Sequence, residues 1–233
     1  LFTMQPSISA IIPLHNKESE ILYTLDSLIT YFKKEKLDYE IIIIENGSTD
    51  DSKLIAYNYI KNLDNISLTE CQKGLGKALK LGIKNSSKKI IWFVPADFLF
   101  KTSDLSYYLN NNIFPKFGIS SRAHPNSIVD RELNRKIISF VYFLIYKTTL
   151  NLNLRDLNGA FIGEAKRIKE IASSVNSDNF FFQTELISRY IKKYEDYKEI
   201  PVEVYESDTN KTTIKFFRDI FLILKDLLRY KFF

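Results

Sequence analysis

The sequence has little of several things, and each shortage excludes something. Its 233 residues hold one cysteine, Cys71, so no disulfide can close within the chain and a reducing compartment fits. Two histidines, His15 and His124, leave little room for a histidine-rich metal site. Seven glycines and six prolines argue against long flexible linkers, and no repeat or low-complexity stretch divides the chain. No apolar run reaches the roughly 20 residues of a membrane span. Basic residues are not interleaved with aromatics along a stripe, so no nucleic-acid partner is expected. Leu1–Thr3 precede the only methionine, Met4, and are set aside as an added leader.

What is present is globular: 45% hydrophobic and 26% charged residues. The length suits one α/β domain over 1–233, with residues 7–100 and 101–233 as its halves. The net charge of +5 is uneven. Residues 1–121 carry 14 basic and 13 acidic groups, and 122–233 carry 19 and 15. The excess in the second half points to an anionic partner there, a phosphate ester or a membrane surface.

"SISAIIPLH" (7–15) reads as a buried strand ended by Pro13. Residues 17–36 follow at helical spacing. "YEIIIIEN" (39–46) is a second strand, its four isoleucines suited to a parallel sheet covered on both faces. A helix from about 51 to 62, a weaker strand at 66–71, a helix within 74–86 and a strand at 89–97 complete the first half. The second half predicts a strand at 117–123, helices at about 131–150, 165–173 and 180–194, and a strand at 197–207. Pro201 within that last strand marks a sheet edge. Strands alternating with helices predict an open, mostly parallel sheet flanked by helices, with ligands beyond its carboxyl ends. Pro13–Lys17, Glu45–Asp50, Gly74–Lys77 and Pro95–Asp97 all fall at that edge.

Eight short motifs stand in order: "PLHNKE", "ENGSTD", "GLGKA", "PAD", "SR" (121–122), "RKIIS" (135–139), "DLNGAF" (156–161) and "FFQTEL" (181–186). In this order the chain resembles the family 2 glycosyltransferases of the GT-A fold, closest to the dolichyl-phosphate mannosyltransferase, or polyprenyl-phosphate glycosyltransferase, branch. There the corresponding motifs are Pro-x-Tyr-Asn-Glu, Asp-Asp-Gly-Ser-Thr-Asp, Gly-Leu-Gly-x-Ala, Asp-x-Asp, Ser/Thr-Arg, Arg-Lys-Ile-x-Ser, Asp-x-x-Gly-x-Phe and Phe-x-x-Glu. The resemblance runs from about residue 7 to residue 230.

The resemblance implies a nucleotide site built from Pro13, His15, Glu18, Glu45, Asn46, Gly74 and Lys77. Read alone, His15 is a solvated turn residue, "NGST" a helix cap as readily as a ligand loop, and Lys77 part of a helix entry. The Gly-Leu-Gly spacing is not a P-loop. The resemblance implies Asp97 as catalytic acid and ligand of a divalent cation, Mg2+ or Mn2+, that bridges the donor diphosphate. Pro95 stands at the first acid of Asp-x-Asp, and Leu99 where a further polar ligand is common. Asp156 and Arg122 complete the implied catalytic group. Arg135, Ser139, Gln183 and Glu185 are implied on the acceptor side. A guanidinium fork suits phosphate, whereas alone each of these side chains reads as a salt bridge, cap or buried hydrogen bond. Toward the C-terminus the branch's Arg-x-x-Gly-x-Ser-Lys loop is replaced: Ser207, Asn210, Thr212 and Thr213 stand at its positions.

The tail "FFRDIFLILKDLLRYKFF" has twelve apolar or aromatic residues of eighteen, with four basic residues interspersed. With "IISFVYFLIY" it either lies at a membrane interface or buries its apolar face in the core or a dimer contact. The expectation is a transferase moving a sugar from GDP-mannose or a UDP-sugar to a polyprenyl or dolichyl phosphate, peripheral on the cytoplasmic membrane face. The alternatives are a glycan acceptor, or a binding scaffold on a degenerate transferase fold.

Overall fold

In the computed structural model the described residues are 6–97, 105, 116–130, 133–150, 152, 154–205 and 225–230. The chain begins with β1 (Ser7–Leu14), α1 (Ile21–Lys34), β2 (Asp38–Glu45), α2 (Ser52–Ile60), β3 (Ile66–Glu70), α3 (Leu75–Asn85) and β4 (Ile90–Phe93). It continues through β5 (Phe117–Ser121), β6 (Ile128–Asp130), α4 (Leu133–Leu150), β7 (Phe161–Glu164), α5 (Ala165–Ala172), α6 (Phe181–Tyr194), β8 (Lys198–Pro201) and β9 (Glu203–Tyr205).

Seven strands form one sheet in the order β3-β2-β1-β4-β7-β5-β8. Only β7 runs against its neighbours β4 and β5; the other pairings in this sheet are parallel. This is the mostly parallel, helix-flanked α/β sheet that the sequence predicts.

Period-2 alternation divides the strands between two cores. Ile41 and Ile43 of β2 join Ile8, Ala10, Ile12 and the apolar stripe of α1 (Ile21, Leu25, Leu28, Phe32) on one face. Ile42 and Ile44 meet Ala78 of α3 on the other. Trp92 and Phe93, adjacent in β4, likewise enter opposite cores. The four isoleucines at 41–44 are at most 2% exposed, as a doubly covered strand requires. On the second face α3 comes close to the sheet because it has Gly82 at the contact; a Cβ there would lie 2.3 Å from Ile11 Cγ2.

Two strands were not evident in the sequence. β7 follows the "DLNGAF" turn so closely that its four residues show no alternation of their own. β6 has three residues and pairs with β9 in a separate two-stranded sheet. The expected strand 197–207 divides at Pro201. That proline ends the ladder with β5, where it pairs with Ser121 at the sheet edge, and it has no N–H to continue it. Val202 then donates its N–H to Ser127 Oγ at 3.0 Å and accepts from the Ile128 N–H at 2.9 Å, which turns the chain onto β6.

Residues 225–230 of the tail are helical. Leu227 is 3% exposed within the larger core, and the Tyr230 hydroxyl lies 2.9 Å from Ser188 Oγ. Of the readings the sequence leaves open, this part of the tail takes the core. Leu1–Thr3, Leu99, Ser207, Asn210, Thr212 and Thr213 lie outside the described residues.

Candidate active site

Strand order reverses direction between β1 and β4, so the loops beyond Leu14 and Phe93 flank the crevice where open α/β sheets bind ligands. The loops after β1 and β2 are laced together. Asn16 takes a left-handed φ of 50°; its side-chain oxygen accepts from the Thr49 N–H at 2.8 Å, and its own N–H donates to Ser48 Oγ at 3.2 Å. The Lys17 N–H donates to Ser52 Oγ at 2.6 Å. The Glu18 N–H donates to the Asp50 carboxylate at 3.2 Å, and the Glu18 carboxylate accepts from the Asp51 N–H at 3.0 Å. Glu18 thus sits at the amino end of α2, where an acid meets the positive end of the helix dipole.

Pro13 is buried within β1 opposite Ile44. His15 follows just beyond the strand, and its Nδ1 is buried with no hydrogen-bond partner in the protein. Burial and the Lys73 charge push its pKa down against the pull of Glu45 and Asp50, so the ring is neutral at pH 7. A neutral imidazole offers one donor and one acceptor, which suits a base or ribose edge.

Glu45 ends β2 at 5% exposure. Burial resists its ionisation, but hydrogen bonds from Ser48 and Gly47 and the Lys53 charge hold the carboxyl below its usual range. It is therefore a charged acceptor at pH 7. Gly47 has φ 73°, a conformation strained for any residue with a side chain. The Asn46 side-chain oxygen accepts from the Gly74 N–H at 2.6 Å, tying β2 to the loop before α3.

The glycines of "GLGKA" make room for protein backbone. A Cβ at Gly74 would lie 2.6 Å from Asp178 O, and one at Gly76 2.6 Å from Asp178 C. Lys77 donates its N–H to Asp178 O at 3.3 Å and its ammonium to Gln72 Oε1 at 2.8 Å. The close approach expected beside a donor is here made by the 177–178 segment.

Asp97 lies four residues beyond β4. Its turn is pinned to α1 by Thr24 Oγ1, which donates to Ala96 O at 2.8 Å. Asp97 Oδ2 lies 3.1 Å from the Lys17 ammonium, with the two side chains 27% and 25% exposed. Sequence reasoning missed Lys17, although the residue stands within "PLHNKE". A basic side chain at the Glu position of that motif was the available signal.

The second half contributes Arg122 and Asp156, which the structure joins directly. Arg122 Nε donates to Asp156 Oδ2 at 2.7 Å and Nη2 to Oδ1 at 3.0 Å; the Arg122 and Asn158 backbone N–H groups add bonds of 3.2 and 3.0 Å. Burial opposes ionisation of Asp156, and the Arg122 charge and these hydrogen bonds overcome it, holding the carboxyl below its usual range. With its lone pairs so engaged, Asp156 positions Arg122 and is not suited to accept a proton. Gly159 allows the turn to sit against β5: a Cβ there would lie 1.9 Å from Ser120 O.

The contacts of Gln183 and Glu185 are internal. Gln183 Nε2 donates to Gly159 O at 3.3 Å, and Thr184 Oγ1 to Asn158 Oδ1 at 2.8 Å, so the start of α6 braces the same turn. Glu185, 2% exposed, accepts from the Asn176 and Ser177 N–H groups at 3.1 and 3.0 Å and pairs with Arg189 at 2.8 Å. Ser139 is exposed on α4, and Arg135 lies on the same helix with its side chain outside the described set.

A protein-held Mg2+ or Mn2+ needs hard oxygen donors. At the crevice Asp97 is the carboxylate in the expected position, and an ammonium stands against it. Among the described residues no three His, Cys, Asp or Glu side chains gather as a metal site would. Among the described residues Asp97 is thus the protein carboxylate such a cation would meet, its remaining ligands coming from a diphosphate and water.

The helix-flanked, mostly parallel sheet with its crevice beyond β1 and β4 has the GT-A architecture. The profile described as Glycosyl transferase family 2 matches residues 9–168, more than half of the chain, and the chain belongs to that family. Among curated relatives, the dolichyl-phosphate beta-glucosyltransferase of Saccharomyces cerevisiae is 23% identical, over 95% of this chain and 73% of its own length. That of Dictyostelium discoideum is 25% identical, over 97% and 74%. Among solved structures, glucosyl-3-phosphoglycerate synthase from Mycobacterium tuberculosis with UDP superposes with a TM-score of 0.68 at 15% identity, covering 97% of this chain and 80% of that one. The same enzyme, solved with Mn2+, UDP and phosphoglyceric acid, gives 0.67 at 15% identity, covering 97% and 77%.

Proposed function

We propose that this protein transfers a hexose from a nucleoside-diphosphate sugar to a polyprenyl or dolichyl phosphate at a membrane surface. The observation that carries the reading is the pairing of two sites across one sheet. The neutral His15 and charged Glu45 offer a base and ribose edge beyond β1 and β2, and the Arg122–Asp156 pair stands beyond β5. Relatives named as dolichyl-phosphate beta-glucosyltransferases, aligned over nearly the whole chain, favour glucose and hence a UDP-sugar over GDP-mannose.

An ionised acceptor phosphate is already a nucleophile, so the chemistry needs no strong base. That agrees with an Asp156 whose carboxylate is committed to Arg122. The guanidinium, held by that carboxylate, offers directed positive charge to a phosphate. A divalent cation, as crystallised with glucosyl-3-phosphoglycerate synthase and UDP, would enter with the donor diphosphate, and Asp97 is the carboxylate in the expected position for it.

Membrane contact is supported by α4. Phe140 and Leu144, one turn apart, are 58% and 44% exposed, and Phe143 stacks on Phe140 with ring centroids 6.4 Å apart. Among the described residues no helix is long and apolar enough to cross a membrane. Contact through this face would be peripheral, and a cytoplasmic face for it accords with the free Cys71. A homodimer contact through the same face is the competing use.

The test is incubation of the protein with radiolabelled UDP-glucose or GDP-mannose and polyprenyl phosphate in vesicles, beside a panel of soluble glycans. Label in the organic phase is expected, more from UDP-glucose. Label confined to the aqueous glycans overturns the acceptor assignment.

A further inference from the structure

The amino edge of the sheet, opposite the crevice, holds a cavity of about 580 Å3 rimmed by lysine. It opens where β4 and β5 begin and β7 ends, since Ile90 pairs with Glu164 and Phe117 with Gly163. Ile90, Ile162 and Ala165 give it an apolar floor. Around that floor stand Lys88, Lys89, Lys116, Lys166 and Lys169, with Glu164 as the acid of the lining. Nothing in the proposed transfer uses this edge.

Lysines gathered at one cavity repel each other, and the acids around them offset that only in part. Lys88 pairs with Asp38 at 2.6 Å, Lys116 with Asp196 at 3.4 Å, and Glu164 with Arg167 at 3.2 Å. Glu40 accepts from the Ser87 N–H at 2.6 Å, and Glu170 pairs with Lys193. With Arg167 and Lys193 counted beside the five lysines, seven cations meet these five carboxylates, so two positive charges are left over. The excess falls on α5. The Lys169 ammonium donates to Ser86 O at 2.6 Å, a neutral partner that leaves its charge intact and two N–H bonds to spare. Lys166, one turn away, is exposed, and Glu170, its neighbour on the helix, is engaged by Lys193 and Tyr194. No side chain caps the amino end of α5, which starts at this cavity and adds the positive end of its dipole.

We infer that this cavity binds an organic phosphate, with the phosphate group between Lys166 and Lys169 and the apolar part on Ile90, Ile162 and Ala165. A phosphate presents three acceptor oxygens, which two ammoniums and a helix end can meet together. The apolar floor has no use for a bare inorganic ion, and it selects an ester that carries carbon. Lys88, Lys89 and Lys116 raise the potential at the rim, which draws an anion in. The site lies at the far end of β4 from the crevice, so its ligand is neither sugar donor nor acceptor. The inference therefore stands apart from the transferase reading. A soluble phosphate ester and a lipid phosphate headgroup share this chemistry, and the experiment separates them.

Calorimetric titration of the full chain with phenyl phosphate, inorganic phosphate and vesicles containing phosphatidic acid tests this. The proteins compared are the wild type, Lys166→Glu, and a double variant with Lys166→Ala and Lys169→Gln. Each is checked for an unchanged thermal transition, which the exposed Lys166 site should preserve even if the double variant is weakened. Phenyl phosphate is expected to bind the wild type more tightly than inorganic phosphate, and less tightly as salt rises. Lys166→Glu should weaken that binding about tenfold, and the double variant about ten- to hundredfold. Binding to the vesicles alone, lost in the same variants, supports the site and assigns its phosphate to a lipid headgroup. Inorganic phosphate bound as tightly as phenyl phosphate overturns the organic assignment. No binding of any probe by the wild type, or binding that both variants keep unchanged, overturns the inference.

Discussion

Replacing Asp156 by asparagine preserves shape and removes charge, which isolates what the Arg122 pair contributes. The carboxylate accepts four hydrogen bonds, three of them from Arg122. Asparagine has one acceptor oxygen, so its NH2 must oppose at least one of those donors. Removing one charge of a buried pair costs about 3–5 kcal/mol. Arg122 keeps 26% of its side-chain surface exposed, and water recovers part of that cost, which leaves about 2–3 kcal/mol. For a chain of this size the melting temperature should fall by about 4–12 °C. The effect depends on pH in a fixed direction. The folded carboxyl lies below its unfolded value of about 3.9, so its contribution is fully present above about pH 5 and is lost as pH falls through the folded value. Urea denaturation followed by circular dichroism, at pH 7 and near pH 3.5, measures the gap between wild type and variant. The gap should narrow at the lower pH, and a double-mutant cycle with Arg122→Met should show strong coupling. An equal gap at both pH values, or additive single mutants, would refute the reasoning.

Three further outcomes are expected. Gly159→Ala should destabilise by about 2–4 kcal/mol because the new methyl meets Ser120 O at 1.9 Å, a backbone atom that cannot swing away; thermal denaturation reads it. Leu227→Ala should cost about 2–4 kcal/mol and expose residues 225–230 to limited proteolysis, since Leu227 is 3% exposed in the larger core. Phe140→Ser with Leu144→Ser should leave the melting temperature within about 2 °C, because both side chains are exposed, while reducing co-sedimentation with anionic vesicles several-fold. Unchanged co-sedimentation would remove α4 as the membrane face.

The first half of the fold is legible in the sequence because its strands announce themselves chemically. The isoleucines at 41–44 have no polar interruption, and the 66–71 and 89–97 runs are bounded by turn residues, so each appears within a few positions of its expected place. β6 and β7 escape because three or four residues are too few to show a period; pairing partners distant in sequence decide them. The site is legible where backbone turns impose residue types, as at Gly47 and Gly74. It is less so on α6, where both flanks of the helix are buried and sequence cannot say which way Gln183 and Glu185 turn. The Lys17–Asp97 contact was invisible because it joins loops 80 positions apart through the register of β1 on β4.

The insertion of β7 between β4 and β5 has a consequence during synthesis. β4 finds β1 on one side as soon as it emerges, but the strand that covers its other edge arrives about 70 residues later, after β5, β6 and α4. At ribosomal speeds of about 5–20 residues per second, that edge, carrying Ile91 and Trp92, stays open for about 4–14 s. An unpaired strand of this composition is a template for another chain. The nascent protein therefore passes through an interval in which a chaperone or the ribosome surface must shield β4, and yield at low temperature or high expression should be limited there.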